Sequence, residues 1–585
     1  MCGIFIVINK KSQPLNLQNC KRSLKQMHRR GPDWSFYKLV NKNIFIGQVV
    51  LSMTGEKKKN LNLHYSQSGN FFIVFNGEIY NYKSLVFSDF DKNKTKNLSD
   101  TNVLVNLFDF NKIDKINSIL DGMYAFVVYD KHKKQLLISR DPQGEKSLYV
   151  YENNNTIIVS SEINPIISYT KDNEINFDII KTYFCSRHFL QFEKTIFKNI
   201  KNIKPGVLTS LDLKNFKFKT VSKYLMHDLI DEKIFNINEK RDEDDLCEEL
   251  DYLLEKNLKE MIPIGRSFAS IISGGIDSSL ISNYICRISN PKKIIYLNHI
   301  GKDKFSHQMK IFENYLNRSI LKYKINPDNY QKNLIKCLKI CNSPINSHDF
   351  VGKFILSKKI RQYNCRALFG GDGADELFGG YETYRQSLRD PKVNHSAYTR
   401  FVNPKIFDGD DYFNFFKKKL NENWKNSLKS YSFVKNQFDR NRLAMMLMDS
   451  TIQLSSVGLR GCDLMSMYHS VETRSVFLRK DIIKFALNLP LKFKINLKKN
   501  SLMSTKILLK KIFLKYYPRK LILEKQGFPG FPNEMSEFLG PKNKYIFKDI
   551  LKIKNFTKKI GNSDKATSWK IYNTEMYFKN LPKLF

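Results

Sequence analysis

The sequence predicts two domains of different fold class, because the spacing of its apolar residues changes along the 585 residues. Up to about residue 200, short β-rich runs alternate with turn residues, which predicts an α+β domain of stacked antiparallel sheets flanked by helices. After about residue 240, strands alternate with helices, which predicts an α/β domain with a parallel sheet. From Asp411 onward the pattern is mostly helical. We assign residues 2–200 and 241–585 to the two domains and residues 201–240 to the junction.

Six β-rich runs and two helical patterns define the N-terminal domain. The predicted strands are Gly3–Asn9, Ile44–Ser52, Phe71–Asn76, Met123–Asp130, Gln135–Ser139 and Thr156–Ser160. The helical patterns lie near Leu17–His28 and Thr101–Asp109. Lys204-Pro205-Gly206 interrupts the pattern, and we place the junction around it.

The C-terminal domain has the alternation expected of βαβ units. Its predicted elements are the helix Asp242–Met261, the strand Ser267–Ser273, a helix from Ser278, the strand Ile294–His299, the helix Phe350–Arg361 and the strand Cys365–Phe369. Glycine-rich turns follow the first and the last of these strands. Because parallel sheets bind ligands beyond the carboxyl ends of their strands, both turns are expected in one site.

Composition excludes several classes of protein. The net charge of +40 comes from lysines spread along the whole chain, which indicates solvated surfaces rather than a nucleic-acid-binding face. The nine cysteines lack the spacing of zinc sites or disulfide frameworks. No apolar stretch approaches the roughly 20 residues of a membrane span, and Lys10-Lys11 end the first apolar run too early for a signal peptide. We therefore expect a reduced, cytoplasmic protein.

Cys2 directly follows the initiator methionine. Removal of Met1 is expected before so small a residue, and it would leave Cys2 with a free α-amino group. Such a group titrates at about 7.7–8.0 and can accept the proton of the adjacent thiol. A cysteine at this position is often incidental, so its interpretation depends on the motifs downstream.

Asn76-Gly77 directly follows the apolar strand Phe71–Phe75. A side-chain amide and a following backbone N–H at a strand end are suited to stabilise a tetrahedral oxyanion. A hairpin turn is the alternative interpretation of the same two residues.

Four motifs together, MCGIF, RGPDW, NGEIYNY and SRDPQGEKSLY, resemble the N-terminal-nucleophile glutaminase domain of the class II glutamine amidotransferases. The resemblance implies that Cys2 is the nucleophile, that Asn76 and Gly77 form the oxyanion hole, and that Glu78 and Asp100 hold the amino group of glutamine. Val50 departs from the family, which usually has an arginine here to clamp the α-carboxylate. Either another cation takes the place of that arginine, or glutamine binds weakly, or the acyl donor is a molecule other than glutamine.

A glycine- and serine-rich loop lies between a strand and a helix of the second domain. Its backbone can approach a polyanion, its serines donate hydrogen bonds, and the helix N-terminus favours negative charge. The loop resembles the SGGxDS loop of ATP pyrophosphatases, which cut ATP to AMP and pyrophosphate. The residues assigned to ATP and pyrophosphate are Ser273, Gly274, Gly275, Asp277, Ser278 and Ser279, with Gly371 and Asp372 of the acidic turn Gly370–Tyr381. We expect Mg²⁺ on Asp277 and Asp375.

Over nearly its whole length the chain resembles glutamine-hydrolysing asparagine synthetases. The matching segments further along are Asp463–Met467, Val471–Arg474, Lys506–Lys510, Tyr517-Pro518 and Lys525-Gln526-Gly527-Phe528. The resemblance implies that Lys506 neutralises charge developing on the phosphates. Three positions depart from the family: Val476 and Arg479 stand where a proline and an aspartate are usual, and Asp372 stands where well-studied members have a glutamate.

We therefore predict an ATP-dependent amidotransferase whose acceptor is aspartate, with ATP as a substrate and Mg²⁺ as cofactor. Ammonia is expected to pass between the two sites inside the protein. The same chemistry on another carboxylate, such as a uronic-acid sugar or a peptide, is the alternative, and a basic nucleic-acid-binding protein with relic motifs is a rival of a different class. The expected partners are small molecules, with no specific nucleic acid and no membrane. A homodimer stays open.

Overall fold

The computed structural model describes residues 2–53, 63–86, 99–110, 112–186, 193–298, 305–325, 327–389, 411–496, 501–523 and 565–580. The matching segment Lys525–Phe528 and the last residue of the predicted strand Ile294–His299 lie outside these ranges.

Two six-stranded antiparallel sheets make up the N-terminal half. The strands are β1 (Cys2–Asn9), β2 (Trp34–Asn41), β3 (Ile44–Val50), β4 (His64–Tyr65), β5 (Phe71–Ile79), β6 (Gly122–Asp130), β7 (Gln135–Arg140), β8 (Tyr149–Glu152), β9 (Thr156–Ser160), β10 (Ile200–Asn202), β11 (Val207–Asp212) and β12 (Phe218–Lys223). The first sheet has the order β10-β8-β9-β1-β3-β2, and the second has the order β12-β11-β7-β6-β5-β4. The stacked antiparallel arrangement predicted for this half is confirmed.

The core between the two sheets is aliphatic. Ile4, Ile6 and Ile8 alternate along β1 toward the second sheet, where they pack with Val74 of β5 and Val127 of β6. Because successive strand residues point to opposite faces, this alternation fixes which side of β1 faces the partner sheet. The start of β1 is thereby fixed beside β5, and both candidate catalytic elements of this half lie on these strands.

The segment 201–240, which we predicted as the junction, contains β11 and β12 of the second sheet and the helix Glu232–Lys240. β11 pairs with β7, and β12 pairs with β11. The proline and glycine at 205 and 206 therefore form a turn between two strands of this half. β11 and β12 join the second sheet by pairing between segments that are distant in sequence, and the local sequence does not reveal such pairing.

Helices of the described chain flank the sheets and fill the C-terminal half. They are α1 (Leu17–Lys25), α2 (Asp100–Asn106), α3 (Ile116–Ile119), α4 (Ile163–Thr170), α5 (Phe177–Ser186), α6 (Glu232–Lys240), α7 (Glu243–Met261), α8 (Ile276–Ile288), α9 (Met309–Leu316), α10 (Pro327–Cys341), α11 (Asp349–Gln362), α12 (Ala374–Phe378), α13 (Glu382–Arg389), α14 (Asp411–Ser430), α15 (Gln437–Met448), α16 (Arg460–Met467), α17 (Lys480–Leu487), α18 (Ile507–Tyr516) and α19 (Lys565–Asn580). A π-helical segment, Asp449–Leu459, joins α15 to α16. Within the described ranges, no helix combines the length and the apolar character that crossing a bilayer requires.

The helix α7 shows how sequence determines an element here. Asp242 caps it by accepting a hydrogen bond from the backbone N–H of Asp244 at 2.8 Å, and three acidic residues in its first turn favour the positive end of the helix dipole. Leu246, Leu250, Leu254 and Leu258 recur every four residues and are all buried. This apolar stripe packs α7 into the core of the C-terminal half, to which the helix belongs.

A five-stranded parallel sheet forms the centre of the C-terminal half. Its strands are β13 (Phe268–Ile271), β14 (Lys293–Asn298), β15 (Ile320–Lys324), β16 (Ala367–Gly370) and β17 (Glu472–Ser475), in the order β15-β14-β13-β16-β17. All four neighbouring pairs are parallel, so the predicted α/β class is confirmed. β13 and β16 are adjacent, and the two glycine turns therefore lie side by side at their carboxyl ends.

Candidate active sites

Cys2 is the first residue of β1 and is almost completely buried. Its backbone nitrogen donates a hydrogen bond to Asn76 Oδ1 at 3.0 Å, and its carbonyl accepts one from Arg30 Nε at 3.1 Å. On removal of Met1, that nitrogen would be the α-amino group beside the thiol. The fold thus holds the atoms that a self-activated thiol needs against the end of β5.

Asn76 is fully buried in β5, and its Nδ2 has no hydrogen-bond partner among the described residues. A buried amide that donates to nothing costs about 1–3 kcal/mol, so the site retains a donor for an incoming oxygen. At Gly77, an added Cβ would lie 2.1 Å from the carbonyl oxygen of Met123. Only glycine fits there, and the predicted oxyanion pair is brought next to Cys2.

Asp100 and Glu78 also come together. Asp100 begins α2, whose preceding Ser99 caps the helix, and Asp100 Oδ2 accepts a hydrogen bond from the backbone N–H of Ile79 at 3.1 Å. Burial raises the pKa of Asp100. Burial also raises the pKa of Glu78 to about 8, against the attraction of Arg474, and the charges of Glu472 and Asp100 raise it further. Two such carboxyl groups favour a bound cation.

Val50 ends β3, paired with Cys2 on one side and Trp34 on the other. Its aliphatic side chain gives no ion pair at the position where the family arginine is expected. Arg30, the cation next to Cys2, is itself fully engaged: Nη1 lies 3.3 Å from Glu162 and Nη2 lies 2.9 Å from Asp463. Arg30 therefore does not replace the missing clamp.

In the C-terminal half, the loop between β13 and α8 is stabilised by its own serines. The backbone N–H of Ser273 donates to Ser278 Oγ at 2.9 Å, and the two hydroxyl oxygens are 2.8 Å apart. Gly274 has φ +79°, and a Cβ there would lie 2.7 Å from the ring of Phe305. The tight turn leaves the start of α8 facing the cavity, where the helix dipole favours anions.

The acidic turn after β16 touches this loop. An added Cβ on Gly371 would lie 2.8 Å from the Cβ of Asp277. The carboxylate of Asp372 lies 3.5 Å from Lys353 Nζ and 3.5 Å from Cys462 Sγ. Its main-chain carbonyl accepts a hydrogen bond from Ser475 Oγ at 2.5 Å. Of the predicted phosphate-binding residues, Gly274 and the fully buried Ser279 do not line the cavity between these turns, whereas the others do: Ser273, Gly275, Asp277, Ser278, Gly371 and Asp372.

Lys506 joins the two predicted metal ligands. Its Nζ lies 2.5 Å from Asp277 Oδ2 and 2.5 Å from Asp375 Oδ1. Burial lowers the pKa of this ammonium, but the two carboxylates outweigh burial and the pKa is raised. Lys506 also has φ +50°, a left-handed backbone that non-glycine residues adopt at a cost of about 1–3 kcal/mol. The surrounding structure imposes this conformation and aims the side chain at the acidic pair.

A cavity of about 810 Å³ is lined by both glycine turns and by Lys506. We call it the nucleotide cavity, because the loop predicted to bind ATP lines it. Sequence reasoning gave no role to two of its lysines, Lys353 and Lys510. Burial and the charge of Lys506 lower the pKa of Lys510 to about 8. Lys510 appeared in the sequence only as the last residue of the matching segment Lys506–Lys510, and Lys353 had no signal, because a lysine on a helix is usually solvated and only packing shows that it lines a cavity.

β17 connects the two sites. Arg474 is fully buried, its Nε lies 2.6 Å from Glu472 Oε1, and its Nη2 contacts Glu78 of the other half. The next residue, Ser475, holds the carbonyl of Asp372 in the nucleotide cavity. One four-residue strand therefore touches the glutamine side and the phosphate side. The sequence indicated this segment only as a matching motif, without its contacts.

Arg479, where the family usually has an aspartate, also bridges the halves. Its guanidinium lies 2.8 Å from Asp121 and 2.7 Å from Glu260. Arg479 thus contributes an ion-pair network at the boundary between the halves and does not line the cavity that contains Lys506.

Comparisons with known proteins cover both halves. Residues 1–225 match the glutamine amidotransferase domain family, and residues 249–560 match the asparagine synthase family. The glutamine-hydrolyzing asparagine synthetase 1 of Bacillus subtilis (strain 168) is 27% identical over 94% of this chain and 92% of its own length. The putative glutamine-hydrolyzing asparagine synthetase 2 of Methanocaldococcus jannaschii is 26% identical over 66% of this chain and 77% of its own.

Proposed function

Because the chain belongs to the asparagine synthase family and is a glutamine-dependent carbon–nitrogen ligase, we propose that it makes asparagine from aspartate, glutamine and ATP. The observation that carries this proposal is the presence in one chain of a buried N-terminal cysteine beside Asn76 and of a phosphate-type cavity that contains Lys506. The two sites perform two half-reactions.

In the first half-reaction, the Cys2 thiolate attacks the side-chain amide carbon of glutamine, and the α-amino group takes the thiol proton. Asn76 Nδ2 and the Gly77 N–H stabilise the oxyanion of the tetrahedral intermediate. Collapse of that intermediate releases ammonia and leaves a thioester. Water then hydrolyses the thioester and frees glutamate.

Glu78 and Asp100 hold the α-ammonium of glutamine in this scheme. Their support is electrostatic: two neighbouring, partly buried carboxyl groups with raised pKa values gain from a cation between them. Arg474 already contacts Glu78, so the ammonium binds at the face of the carboxylate that Arg474 leaves open.

In the second half-reaction, a carboxylate oxygen of the acceptor attacks the α-phosphorus of ATP, and pyrophosphate leaves. Ser273, Gly275 and Ser278 offer N–H and hydroxyl donors to the phosphates, and Gly371 and Asp372 line the same cavity. Gly274 shapes the turn, and Ser279 lies buried behind it. Lys506 neutralises the charge that develops on the leaving pyrophosphate. Ammonia then attacks the acyl carbon, and AMP departs.

The donors present fit Mg²⁺, which is held by few carboxylates and by phosphate oxygens. Asp277 and Asp375 converge on one cationic atom, Lys506 Nζ, so their oxygens already share a point where a cation is stabilised. When bound, Mg²⁺ would supply charge neutralisation on the pyrophosphate. Among the described residues, no group of three or more metal-binding side chains offers a cage without phosphate.

The identity of the acceptor decides between asparagine synthesis and the same chemistry on another carboxylate. Asp372, at a position where well-studied members have a glutamate, lines the nucleotide cavity. Exchange of labelled pyrophosphate into ATP, measured with aspartate, succinate, a uronic acid and a peptide carboxylate, tests this point. Aspartate-dependent exchange is expected. Exchange with another acid and none with aspartate would replace the acceptor and keep the enzyme class. A cytoplasmic location and passage of ammonia inside the protein stay predictions.

A further inference from the structure

We propose that a small cavity between the two halves is a binding site for a tetrahedral oxyanion of the phosphate class. The cavity has a volume of about 50 Å³ and is separate from the nucleotide cavity. A single water needs about 10–15 Å³ measured in this way, so the space exceeds that of one water. It accommodates one phosphate or sulfate and excludes a nucleotide.

The lining of this cavity is rich in donors. Three cationic side chains contribute, Arg140 and Lys194 from the N-terminal half and Arg460 from α16. Six hydroxyl groups line it as well: Ser147, Tyr149, Thr195, Ser343, Ser455 and Ser456. Among the described residues that line it, none is an aspartate or a glutamate. Such a combination of guanidinium and hydroxyl donors is what recognises phosphate-class anions.

Arg140 is the residue that points most directly to a ligand. It is 7% exposed, and its two terminal nitrogens donate to main-chain carbonyls, Gly144 O at 2.6 Å and Ile203 O at 3.3 Å. Its Nε is buried and has no hydrogen-bond partner within the described part of the chain. Burial lowers the pKa of Arg140, as expected of a buried cation whose hydrogen bonds go to neutral groups.

The two nearest carboxylates are occupied elsewhere. Asp141 accepts hydrogen bonds from the backbone N–H groups of Glu145 at 2.7 Å and Lys146 at 3.1 Å. Both carboxylate oxygens of Asp463 accept hydrogen bonds from Arg30 Nη2, at 2.9 and 3.1 Å. The charges of both carboxylates act on Arg140, but they leave its Nε without an acceptor among the described residues, and an anion in the cavity would supply that acceptor.

Arg460 faces the cavity from the opposite half. Asn346 Oδ1, at 2.7 Å, and Ser343 Oγ, at 3.0 Å, hold its guanidinium in place. One arginine from each half would then contact the same anion. Since α16 also carries Cys462, next to Asp372, and Asp463, which holds Arg30 against Cys2, an anion at its first residue would strengthen the boundary between the two active sites.

Isothermal titration of the full chain with sodium phosphate, in Hepes at constant ionic strength, tests the proposal. One saturable site is expected, with sulfate competing and chloride not competing. Arg140→Gln should weaken binding at least tenfold, because charge-assisted hydrogen bonds contribute about 1.5–3 kcal/mol. Ser456→Glu, which adds a negative charge to the lining, should weaken it similarly. The control Lys201→Ala, at an exposed position of β10 outside the lining, should bind as the wild type does.

Three results would overturn the proposal: equal heat with chloride, wild-type affinity in Ser456→Glu, or loss of binding in Lys506→Met, which would place the phosphate in the nucleotide cavity. Circular dichroism checks that Arg140→Gln is folded. If Arg140→Gln is unfolded, the affinity of Ser456→Glu for phosphate decides the question. The titration needs no turnover, so its failure is distinguishable from a failure of the proposed reaction.

Discussion

Replacement of Asn76 tests the arrangement around Cys2 most directly. Asn76 has two separable roles in the structure: its Oδ1 accepts a hydrogen bond from the Cys2 nitrogen at 3.0 Å, and its buried Nδ2 is the donor without a partner among the described residues. Asn76→Ala removes both, whereas Asn76→Asp keeps the acceptor and replaces the donor with an oxygen of nearly the same shape. The pair of variants therefore isolates the donor.

Loss of one oxyanion donor costs about 2.7–4 kcal/mol of transition-state stabilisation, a factor of about 10²–10³ in kcat. We expect glutamine hydrolysis to fall by that factor in Asn76→Ala. In Asn76→Asp it should fall at least as far, because a carboxylate would face the negative oxygen of the intermediate. Glutamate release, followed in a coupled assay, measures kcat. Ammonia-dependent synthesis in the same preparations is the control and should be unchanged. If kcat in Asn76→Asp stays within threefold of the wild type, the donor has no role and the reasoning is refuted.

Three further predictions concern the separation and the electrostatics of the sites. Cys2→Ala should abolish glutamine use and keep ammonia-dependent synthesis, whereas Asp277→Asn should do the reverse; loss of both activities in one folded variant would contradict two independent sites. Val50→Arg should lower the KM for glutamine about tenfold or more, since an ion-paired hydrogen bond contributes about 1.5–3 kcal/mol, and an unchanged KM would mean that another group already clamps the α-carboxylate. Because the pKa of Glu78 is raised to about 8, its carboxylate forms only as the pH rises through that value. KM for glutamine should therefore fall between about pH 7 and 9 in the wild type but not in Glu78→Gln, and a flat wild-type profile would count against the assignment.

The parts of each site that are local in sequence were predictable. Ser273–Ser279 is a turn between a strand and a helix whose shape follows from its glycines and serines, and Asn76-Gly77 follows one apolar strand. The first appears in the structure where the sequence places it, whereas Asn76 and Gly77 lie inside β5, which continues to Ile79, and form neither a strand end nor a hairpin turn. The fold class followed in the same way, from the period of the apolar residues along each element.

Contacts between distant residues were not predictable. Arg30 and Asp463 are 433 positions apart, and Arg474 and Glu78 are 396 apart, so no window of sequence contains either pair. Lys353 and Lys510 are helical lysines whose burial depends on how helices pack. The sequence indicates only a junction at β11 and β12, because the pairing of β11 with β7, and of β12 with β11, depends on tertiary structure.

The contact between Arg474 and Glu78 constrains how the two halves of the chain can evolve. A protein assembled by splicing the first half of one relative onto the second half of another would inherit Glu78 and Arg474 from different parents. If Glu78 were missing, Arg474 would keep its ion pair with Glu472, which comes from the same parent. If Arg474 were missing, the partly buried Glu78 would bind a proton, because its pKa is already raised. Chimeras that keep both members of the Glu78–Arg474 pair are therefore expected to be more stable than chimeras that carry only one.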